Sequence, residues 1–501
     1  MPALQSSSLA FDGGLNTRET AFTISDAELA GQSIWNNRRN RALTNEAAVK
    51  SFAVGAGTNQ LTYLHEVLIG SGSVTRYLLG YYAQNQTWYQ TNNIDTTGFS
   101  TIFQWTTVNT NSQVAVMNAT AWFVNGADSC QQWDGTTAST VAAMPKARHI
   151  QIYKNYCFVA GTTANPSRVF FSSLKDPTTW PTNNFQDVSP NDGDDITALY
   201  STAESLMIFK QRSAWMMIGD TFDATNPQWR LVKLESTEGS GTASNRSIQY
   251  FPGVGVVWLG RDGFYVWDGA HIKMLGDQIR DTVAALNPYG VGYDGTLKNR
   301  REAQAALFRN ELHFVIEDAA AITQRSWITM DISGKWRRLA NSGSVLFALV
   351  NYNNRLFYGA NTNLVWEYAG TASTELLAAS ATTKLMDGTQ PDLWKHYRRL
   401  WVLYEITSGP TGLSGAFDIV ITAIPDGSAT TFTSTLTATS GTNITGNFYE
   451  QVLEINLVAR RLQFTFATTD RTYTAYTGTV RTAIHDLRLE YSTQSDRGAT
   501  K

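Results

Sequence analysis

Cysteine and charge are the two features that this sequence has least of. Only two of its 501 residues are cysteines, Cys130 and Cys157, too few for a disulfide framework and wrongly spaced for a zinc site. We expect both to be core thiols. Charged residues make up 16% of the chain, against about 25% in an average soluble domain. So little charge favours a subunit that buries surface against neighbours, the alternative being an extracellular β-protein rich in Thr, Asn and Ser.

The chain also lacks an excess of either charge and any long apolar run. With 39 basic and 42 acidic residues and a net charge of −3, no basic field would hold nucleic acid by counterion release. This argues against tight DNA binding but permits DNA to pass through a neutral channel. The first 20 residues lack the pattern of a signal peptide, and no stretch approaches about 18 consecutive apolar residues. We therefore expect synthesis in a cytoplasm and no membrane anchor.

Aromatic and aliphatic residues are abundant, and they recur in one unit. The unit is a short apolar strand ending in Gly or a turn, followed by a second strand that carries an aromatic residue and often an acidic one. Its copies begin at residues 121–126, 155–161, 205–209, 255–260, 310–316 and 355–359, and a divergent first copy covers residues 61–88. The runs are short, rich in Val, Ile, Phe, Tyr and Trp, and bounded by Gly, Asn, Asp and Pro, which favours strands.

The copies recur at intervals of about 35 to 55 residues, the range of four-stranded propeller blades. We predict an all-β chain whose main domain is a β-propeller of six or seven blades. Helices should be few. One is predicted over residues 279–286, before Asn287 and Pro288, and another over residues 25–35, where Ser25 and Glu28 form a capping box.

A different pattern begins after the last copy. Residues 370–390 form a polar connector of small residues, and the segments beyond it alternate apolar and polar residues, as half-buried antiparallel strands do. This predicts a C-terminal β-sandwich. The expected domains are an extended N-terminal arm over residues 1–55, the propeller over residues 56–375 and the sandwich, a platform, over residues 376–501. We expect the arm to dock on this platform, because it cannot bury a core alone.

Two segments are candidate sites of catalysis or ligand binding. Residues 173–180 loosely resemble the Asp-box hairpin of sialidases, but Pro177 and Thr178 stand where the box has glycine and threonine, and one such segment is found. A glycan-binding or glycan-cleaving propeller is therefore the alternative function. The acidic run at residues 191–195 offers oxygen ligands that suit calcium, yet it lacks the EF-hand loop. We favour a loop whose carboxylates cap backbone amides of a turn.

The remaining polar motifs indicate structural roles for their residues, not catalytic ones. The six histidines have neither the spacing of a metal site nor that of a catalytic triad; they are His65, His149, His271, His313, His396 and His485. Residues 260–263 predict a hairpin turn. The arginine pairs 398–399 and 460–461 indicate solvated strand faces, the alternative being a contact with a subunit or nucleic acid. We predict no catalytic, cofactor-binding or metal residues and no cofactor.

Several of these stretches, taken in order, resemble the tail nozzle and packaged-DNA stabilisation proteins of short-tailed bacteriophages. They are residues 11–18, the arm over residues 25–38, and residues 172–180, 193–199 and 258–269, with residues 460–463 and 484–487 near the end. The similarity covers most of the chain. Each motif reflects hairpin chemistry that other propellers share, and their order is the more specific feature.

The resemblance implies a virion structural protein with no enzymatic activity. Six copies would form a ring below the portal and its adaptor, continue the DNA channel and retain the genome until ejection. The implied partners are five further identical copies, the portal adaptor, and other tail proteins such as a needle or fibre. DNA would pass through without sequence-specific binding. The expected location is the virion tail.

Overall fold

A computed structural model gives the fold of most of the chain. The structure describes residues 5–9, 14–15, 18, 28–33, 43–45, 48–53, 61–70, 72–82, 85–95, 98–107, 112–219, 229–234, 240–242, 244–260, 263–286, 303–317, 325–339, 346–360, 364–368, 375–376, 379–387, 392–406, 418–426, 430–437, 442–445, 448–468, 471–472 and 482–494. Over these residues it is an all-β structure, as predicted.

The strands are as follows, in chain order. The N-terminal segment has β1 Gln5–Leu9, β2 Gly14–Leu15, β3 Glu28–Ser33, β4 Leu43–Asn45 and β5 Ala48–Ala53. Next come β6 Leu61–Ile69, β7 Thr75–Tyr82, β8 Thr87–Thr91, β9 Ser100–Gln104, β10 Gln113–Met117, β11 Thr120–Val124, β12 Cys130–Trp133, β13 Ala138–Val141, β14 His149–Tyr153, β15 Tyr156–Ala160, β16 Arg168–Phe171, β17 Phe185–Asp187, β18 Ile196–Ser201, β19 Ser205–Lys210, β20 Ala214–Ile218 and β21 Arg230–Leu234.

The second half continues with β22 Gln249–Phe251, β23 Gly255–Leu259, β24 Phe264–Trp267, β25 Ile272–Leu275, β26 Gln304–Phe308, β27 Glu311–Glu317, β28 Arg325–Asp331, β29 Trp336–Leu339, β30 Leu346–Tyr352, β31 Arg355–Ala360 and β32 Leu364–Tyr368. The last strands are β33 Glu375–Leu376, β34 Ser380–Thr383, β35 Trp394–Ile406, β36 Ile419–Pro425, β37 Phe432–Leu436, β38 Thr442–Thr445, β39 Phe448–Ala459, β40 Leu462–Ala467, β41 Arg471–Thr472 and β42 Thr482–Gln494.

Strands β6 to β29 form six successive antiparallel sheets of four strands each, and in each sheet neighbouring strands are consecutive in the chain. The predicted hairpins are the second and third strands of these sheets, for example β11 with β12 and β23 with β24. A seventh sheet begins β30-β31-β32 and takes its next strand, β5, from the N-terminal segment. Strands β33 and β41 extend this sheet beyond β5.

Apolar clusters lie between consecutive sheets. One cluster joins the first sheet to the second, others join each later pair, and another, containing Leu61 and Val350, joins the seventh sheet back to the first. Large aromatic residues such as Trp88 and Trp258 are fully buried there. Because sheets stacked face to face around a closed circuit form a ring, this part of the chain is a β-propeller.

Arg355 reinforces the junction between the seventh and first sheets. Its guanidinium pairs with Glu367 in its own sheet and with Asp95 in the first sheet. The hydroxyl of Tyr352 also donates a hydrogen bond of 3.1 Å to the carbonyl oxygen of Asn92. Thus polar contacts as well as the apolar cluster join the two sheets where the ring closes.

The C-terminal strands form two further sheets. Their orders are β1-β42-β35-β39-β38, with β4 also paired to β42, and β2-β3-β34-β40-β36-β37. Alternate residues of β35, β36, β39 and β40 are buried. Those of both sheets belong to one apolar cluster, which also includes Trp327 of the sixth sheet and Tyr358 of the seventh. This shared cluster attaches the C-terminal sheets to the ring.

One predicted helix is confirmed and one is wrong. Helix α1 spans Arg280–Leu286, within the predicted range. The helix predicted over residues 25–35 is wrong because Glu28–Ser33 forms β3, which pairs with β34 about 350 residues later. Pairing with a distant strand overrides the local capping pattern. Among the described residues, no helix has both the length and the apolar character needed to cross a membrane.

Candidate functional site

A central cavity of about 890 Å³ lies on the axis of the ring. The first strand of every sheet lines it, from β6 through β10, β14, β18, β22 and β26 to β30. The first strands begin at one end of the ring, where Arg246 lies, and finish at the other, where the lining residues Leu68 and Asn354 are exposed. We call these the closed end and the open end.

Arg246 crosses the cavity at the closed end. It belongs to a short 3₁₀ turn, Asn245–Ser247, before the fifth sheet. Its Nη1 donates to the carbonyl oxygen of Thr62 in the first sheet over 3.2 Å, and its Nη2 donates to that of Ser112, just before the second sheet, over 2.6 Å. The guanidinium carbon lies 3.7 Å from the centre of the Tyr63 ring. Since these partners lie on the opposite side of the ring, one side chain spans it.

Ser112 connects this arginine to the core. Its hydroxyl is fully buried, accepts hydrogen bonds from the indole nitrogens of Trp88 and Trp105, and donates to the carbonyl oxygen of Val124. Its own carbonyl accepts from Arg246. The closed end is therefore held by charge-assisted hydrogen bonds to backbone carbonyls inside a well-packed aromatic cluster.

Polar side chains also connect neighbouring first strands. Gln151 donates to the hydroxyl of Ser201 over 2.7 Å, joining β14 to β18. The Nε2 of Gln304 donates to the carbonyl oxygens of Leu349 and Leu64, so β26 is joined to β30 and to β6. Polar side chains in the cavity wall thus hold neighbouring first strands together.

Two histidines beside the cavity are held neutral. Burial, together with the positive charge of Arg246, lowers the pKa of His65 to about 4. Burial likewise lowers the pKa of His149 to about 3, with Arg148 the next cause. His65 lies within 3.2 Å of the Tyr63 hydroxyl, and His149 within 3.2 Å of the Gln113 side-chain nitrogen. At neutral pH both rings are uncharged members of hydrogen-bonded pairs.

The charged side chains in the described lining of the cavity are paired with each other or bound to the backbone. Its carboxylate, Glu66, pairs with Arg76 at the open end, and its guanidinium, Arg246, binds backbone carbonyls. Among the described residues, no three His, Cys, Asp or Glu side chains form a group that could hold a metal ion. The described lining thus provides hydrogen-bonding groups, the ion pair of Arg76 with Glu66, and the positive charge of Arg246.

The segment resembling an Asp-box forms a compact turn between β16 and β17. One carboxylate oxygen of Asp176 accepts hydrogen bonds from the backbone and hydroxyl of Thr178, and these bonds lower the pKa of Asp176. The indole nitrogen of Trp180 donates to the carbonyl oxygen of Pro177. Both polar side chains act within the turn itself.

The acidic run caps amides and pairs with a buried lysine. Asp194 accepts from the backbone nitrogens of Gln211 and Arg212, as predicted for a capping carboxylate. Asp192 accepts from Lys210, whose amine lies 2.7 Å from both carboxylate oxygens. Lys210 is fully buried. This pair was not predicted, because Lys210 lies in an apolar strand without any local sign of a partner.

The two cysteines and the other four histidines do not line the cavity. Both cysteines are free, buried thiols, as expected. His313 accepts from the indole nitrogen of Trp327, and His485 lies 3.1 Å from Glu405, on β35 and outside the ring. His271 donates its backbone N–H to Asp268, and His396 lies half-buried on β35.

The arginine pairs and the predicted turn are only partly described. Arg399 forms an exposed ion pair with Glu454, and Arg398 and Arg460 are exposed, which agrees with solvated strand faces. Arg461 is half-buried. The hairpin at residues 260–263 is closed by a hydrogen bond from the Gly260 nitrogen to the Gly263 carbonyl oxygen. Its residues 261–262 lie outside the described residues.

Arg246 and Ser112 are the important residues that sequence reasoning missed. Neither lies in a hairpin copy; each lies just before a first strand. A polar residue in a connecting segment gives no local signal of a partner across the ring. The repeat spacing could have indicated that these segments meet at one end of the axis.

Comparison with known proteins assigns no family. No family model matches the chain, and no curated protein does. Solved structures with similar folds include BamB from Moraxella catarrhalis, at 10% identity over 73% of this chain and 97% of that one, with a TM-score of 0.37. Another is the extracellular domain of BT4673 from B. thetaiotaomicron, at 9% identity over 75% of this chain and 46% of that one, with a TM-score of 0.39.

A third is PorZ, a bacterial surface component of the type-IX secretion system of Porphyromonas gingivalis. It is 10% identical over 70% of this chain and 44% of that one, with a TM-score of 0.37. The match therefore spans less than half of the BT4673 and PorZ chains. All three likenesses are distant, and they assign no role to this chain.

Proposed function

We propose that this chain is a non-catalytic structural subunit of a bacteriophage tail, a nozzle that continues the DNA channel below the portal and its adaptor. The order of the motifs described above supports the assignment. Under this proposal the chain belongs to the virion tail, where copies of it would retain the packaged genome until ejection.

In the proposed architecture, the ring is a propeller of seven blades and the two C-terminal sheets are a β-sandwich that serves as a platform. Supporting this, the first strands of seven sheets line one cavity, and one apolar cluster lies between the C-terminal sheets. The proposed boundaries between the arm, the propeller and the platform lie at residues 55 and 375. Within this division, β1, β3 and β4 of the arm add to the platform, and β5 completes the seventh blade.

The observation that carries the proposal is the closed end of the cavity. Because Arg246 spans the ring and binds backbone on its far side, a DNA duplex cannot thread through one subunit. In the proposed tail the channel therefore lies between copies, with the propellers around it. Closed cyclic assembly is the usual way for identical subunits to enclose such a channel. We propose six copies, with the portal adaptor and a needle or fibre as further partners.

The test is the assembly state of the purified chain, alone and mixed with the portal and adaptor proteins. Multi-angle light scattering and electron microscopy are expected to show a closed ring with an axial opening between subunits. A chain that stays monomeric in both conditions would refute the proposal. An assembly whose channel runs through the individual propellers, with no opening between subunits, would contradict the inference that Arg246 blocks the axis of each propeller.

A second measurement tests the role in genome retention. Particles assembled without this chain are expected to package DNA and then lose it, which makes the DNA sensitive to added nuclease. Particles that retain their DNA equally well without the chain would contradict the proposed role. A panel of fluorogenic glycosides, incubated with the purified chain, tests the alternative of a glycan-cleaving propeller.

A further inference from the structure

In the described part of the ring, the large exposed apolar residues lie at one end. In a four-stranded antiparallel sheet, the first and third turns lie at the same end because strand direction alternates. The large exposed apolar side chains of the described ring all lie at or beside such turns, at the open end: Leu68, Val74, Leu174, Ile218, Tyr250 and Ile332. Exposed apolar residues grouped in this way mark an interaction surface.

A groove of about 760 Å³ lies on this end between the fourth and fifth sheets. Its apolar lining includes Tyr200, Tyr250, Val254 and Trp267. The ring of Tyr250 is available to a partner, because the residue is 51% exposed while its backbone nitrogen is held by the Tyr200 hydroxyl at 2.9 Å. Exposed tyrosines on a rigid backbone are frequent hot spots of protein interfaces.

Close backbone packing shapes the floor of the groove. Gly255 has a φ of +134°, and a Cβ there would lie 2.2 Å from the carbonyl oxygen of Trp267. Only glycine fits this position without a shift of the backbone. The floor is therefore set by the hairpin of β23 and β24, and the groove exists before any partner binds.

The groove has a negative character. Glu204 lies exposed in the turn between β18 and β19, and Asp268 lies in the turn after β24. Lys273 pairs with Asp268, but no lysine or arginine is among the described residues that line the groove. Since Asp268 already has a cationic partner, the carboxylate that a basic side chain of a partner would complement is that of Glu204, with a gain in association rate and specificity.

The apolar surface continues from the groove to the sixth sheet. A Cβ built on Gly253 would lie 3.8 Å from the Cδ1 atom of Ile332, whose side chain is 55% exposed. The surface therefore runs from Tyr250 past Gly253 to Ile332. A single sugar ring would cover Tyr250 but would leave Ile332 in water, whereas an extended peptide covers both.

From these features we propose that the groove between the fourth and fifth sheets binds an extended apolar peptide segment with a basic side chain, supplied by a partner protein. The residues that carry the interaction are Tyr250, Ile332 and Glu204. The inference rests on the groove itself and is independent of the proposed tail function, so either proposal can fail while the other stands.

The test uses defined probes and the full chain. Three fluorescein-labelled hexapeptides share one length: Lys-Leu-Tyr-Val-Leu-Lys, the same peptide with glutamates for the lysines, and the same peptide with serines for its four central residues. Labelled maltohexaose is the saccharide probe. By fluorescence anisotropy, we expect saturable binding of the lysine peptide, about tenfold weaker binding of the other two peptides, and no binding of maltohexaose.

Three variants locate the site. Tyr250→Ala is expected to weaken binding of the lysine peptide about tenfold, as for the loss of an aromatic hot spot. Glu204→Gln should reduce the preference for lysine over glutamate and the salt dependence of binding. Leu174→Ala, at the same end but in the third sheet, is the matched control and should leave binding unchanged. Unaltered thermal unfolding of each variant shows that it folds.

Four results would overturn the inference. They are no peptide binding, equal binding of the lysine and glutamate peptides, binding unchanged by Tyr250→Ala, and binding of maltohexaose that competes with the peptide. Self-association abolished by Tyr250→Ala, seen by light scattering, would also overturn it, because the occupant would then be a second copy of this chain.

Discussion

Arg246 and Ser112, 134 positions apart in the chain, are joined across the ring by a hydrogen bond of 2.6 Å from guanidinium to backbone carbonyl. The same serine accepts two indole N–H groups with its side chain. One residue thus connects a charged side chain that spans the cavity to the aromatic cluster between the first two sheets. This junction closes one end of the cavity and connects opposite sides of the ring.

Replacing Arg246 with methionine is expected to lower the free energy of unfolding by about 2 to 4 kcal/mol. The variant loses two charge-assisted hydrogen bonds and the contact with the Tyr63 ring, while the carbonyl oxygens of Thr62 and Ser112 lose their donor. Urea unfolding followed by tryptophan fluorescence measures the loss. Arg246→Lys keeps the charge without the planar fork and should fall between methionine and the native chain. Equal stability of the native and methionine proteins would contradict the role of Arg246 as a cross-ring contact.

Acid should destabilise the ring through His65 and His149. Their folded pKa values, about 4 and about 3, lie below the usual value near 6.5. Between these limits the unfolded chain binds more protons than the folded one. The free energy of unfolding should therefore fall as the pH drops below about 6.5, by at most about 1.4 kcal/mol per pH unit for each histidine.

The measurement is the free energy of unfolding from pH 7 to pH 4, for the native chain and for a variant with His65→Gln and His149→Gln. Glutamine keeps a hydrogen-bonding group and does not titrate, so the double variant should lose less stability as the pH falls. Parallel curves for the two proteins would rule out these histidines as the source of acid sensitivity.

The amine of Lys210 should behave as a buried charge whose anionic partner is Asp192, with the Ser189 carbonyl and the Ser167 hydroxyl as neutral acceptors. Asp192→Ala leaves the amine of Lys210 in the interior without its carboxylate and is expected to cost about 3 kcal/mol. Adding Lys210→Met removes the uncompensated charge, so the double variant should be more stable than Asp192→Ala alone. A double-mutant cycle by chemical denaturation tests this. Additive effects of the two substitutions would show that the residues are not coupled.

Closure of the ring should depend on β5. Val49 pairs with Tyr368 of β32 and with Glu375 of β33. Val49→Pro would break the ladder in the interior of the seventh sheet and is expected to cost about 3 kcal/mol. Ser7→Pro in the edge strand β1 is the matched control and should cost less, because an edge strand has one neighbour. Thermal unfolding compares them, and a larger loss from Ser7→Pro would show that β5 is not required for closure.

The hairpins of the ring could be predicted because their signals are local. In β23 and β24, an apolar run, a turn at Gly260 and Gly263 and a second apolar run contain all the information that a hairpin needs. The same holds for α1, which ends just before Asn287 and Pro288. The arm lacked such signals. Ser25 and Glu28 favour a helix start, yet β3 is a strand because β34 pairs with it.

The contents of the site could not be predicted in the same way. Asp194 was recognisable as a capping residue because its partners, Gln211 and Arg212, follow within 20 positions. The contacts of Arg246 and the burial of Lys210 depend on which strands become neighbours, and a single sequence does not encode such neighbours in any short window.

The amino-acid sequence by itself determined the strand class and the repeated hairpins. These properties depend on the alternation, turn residues and spacing of positions near one another in the chain. The tertiary structure alone decided that β5 completes the seventh sheet and that Arg246 spans the cavity. It also decided that the large exposed apolar residues of the described ring lie at the open end. Those features arise from the closure of the ring, which places distant segments within hydrogen-bonding distance.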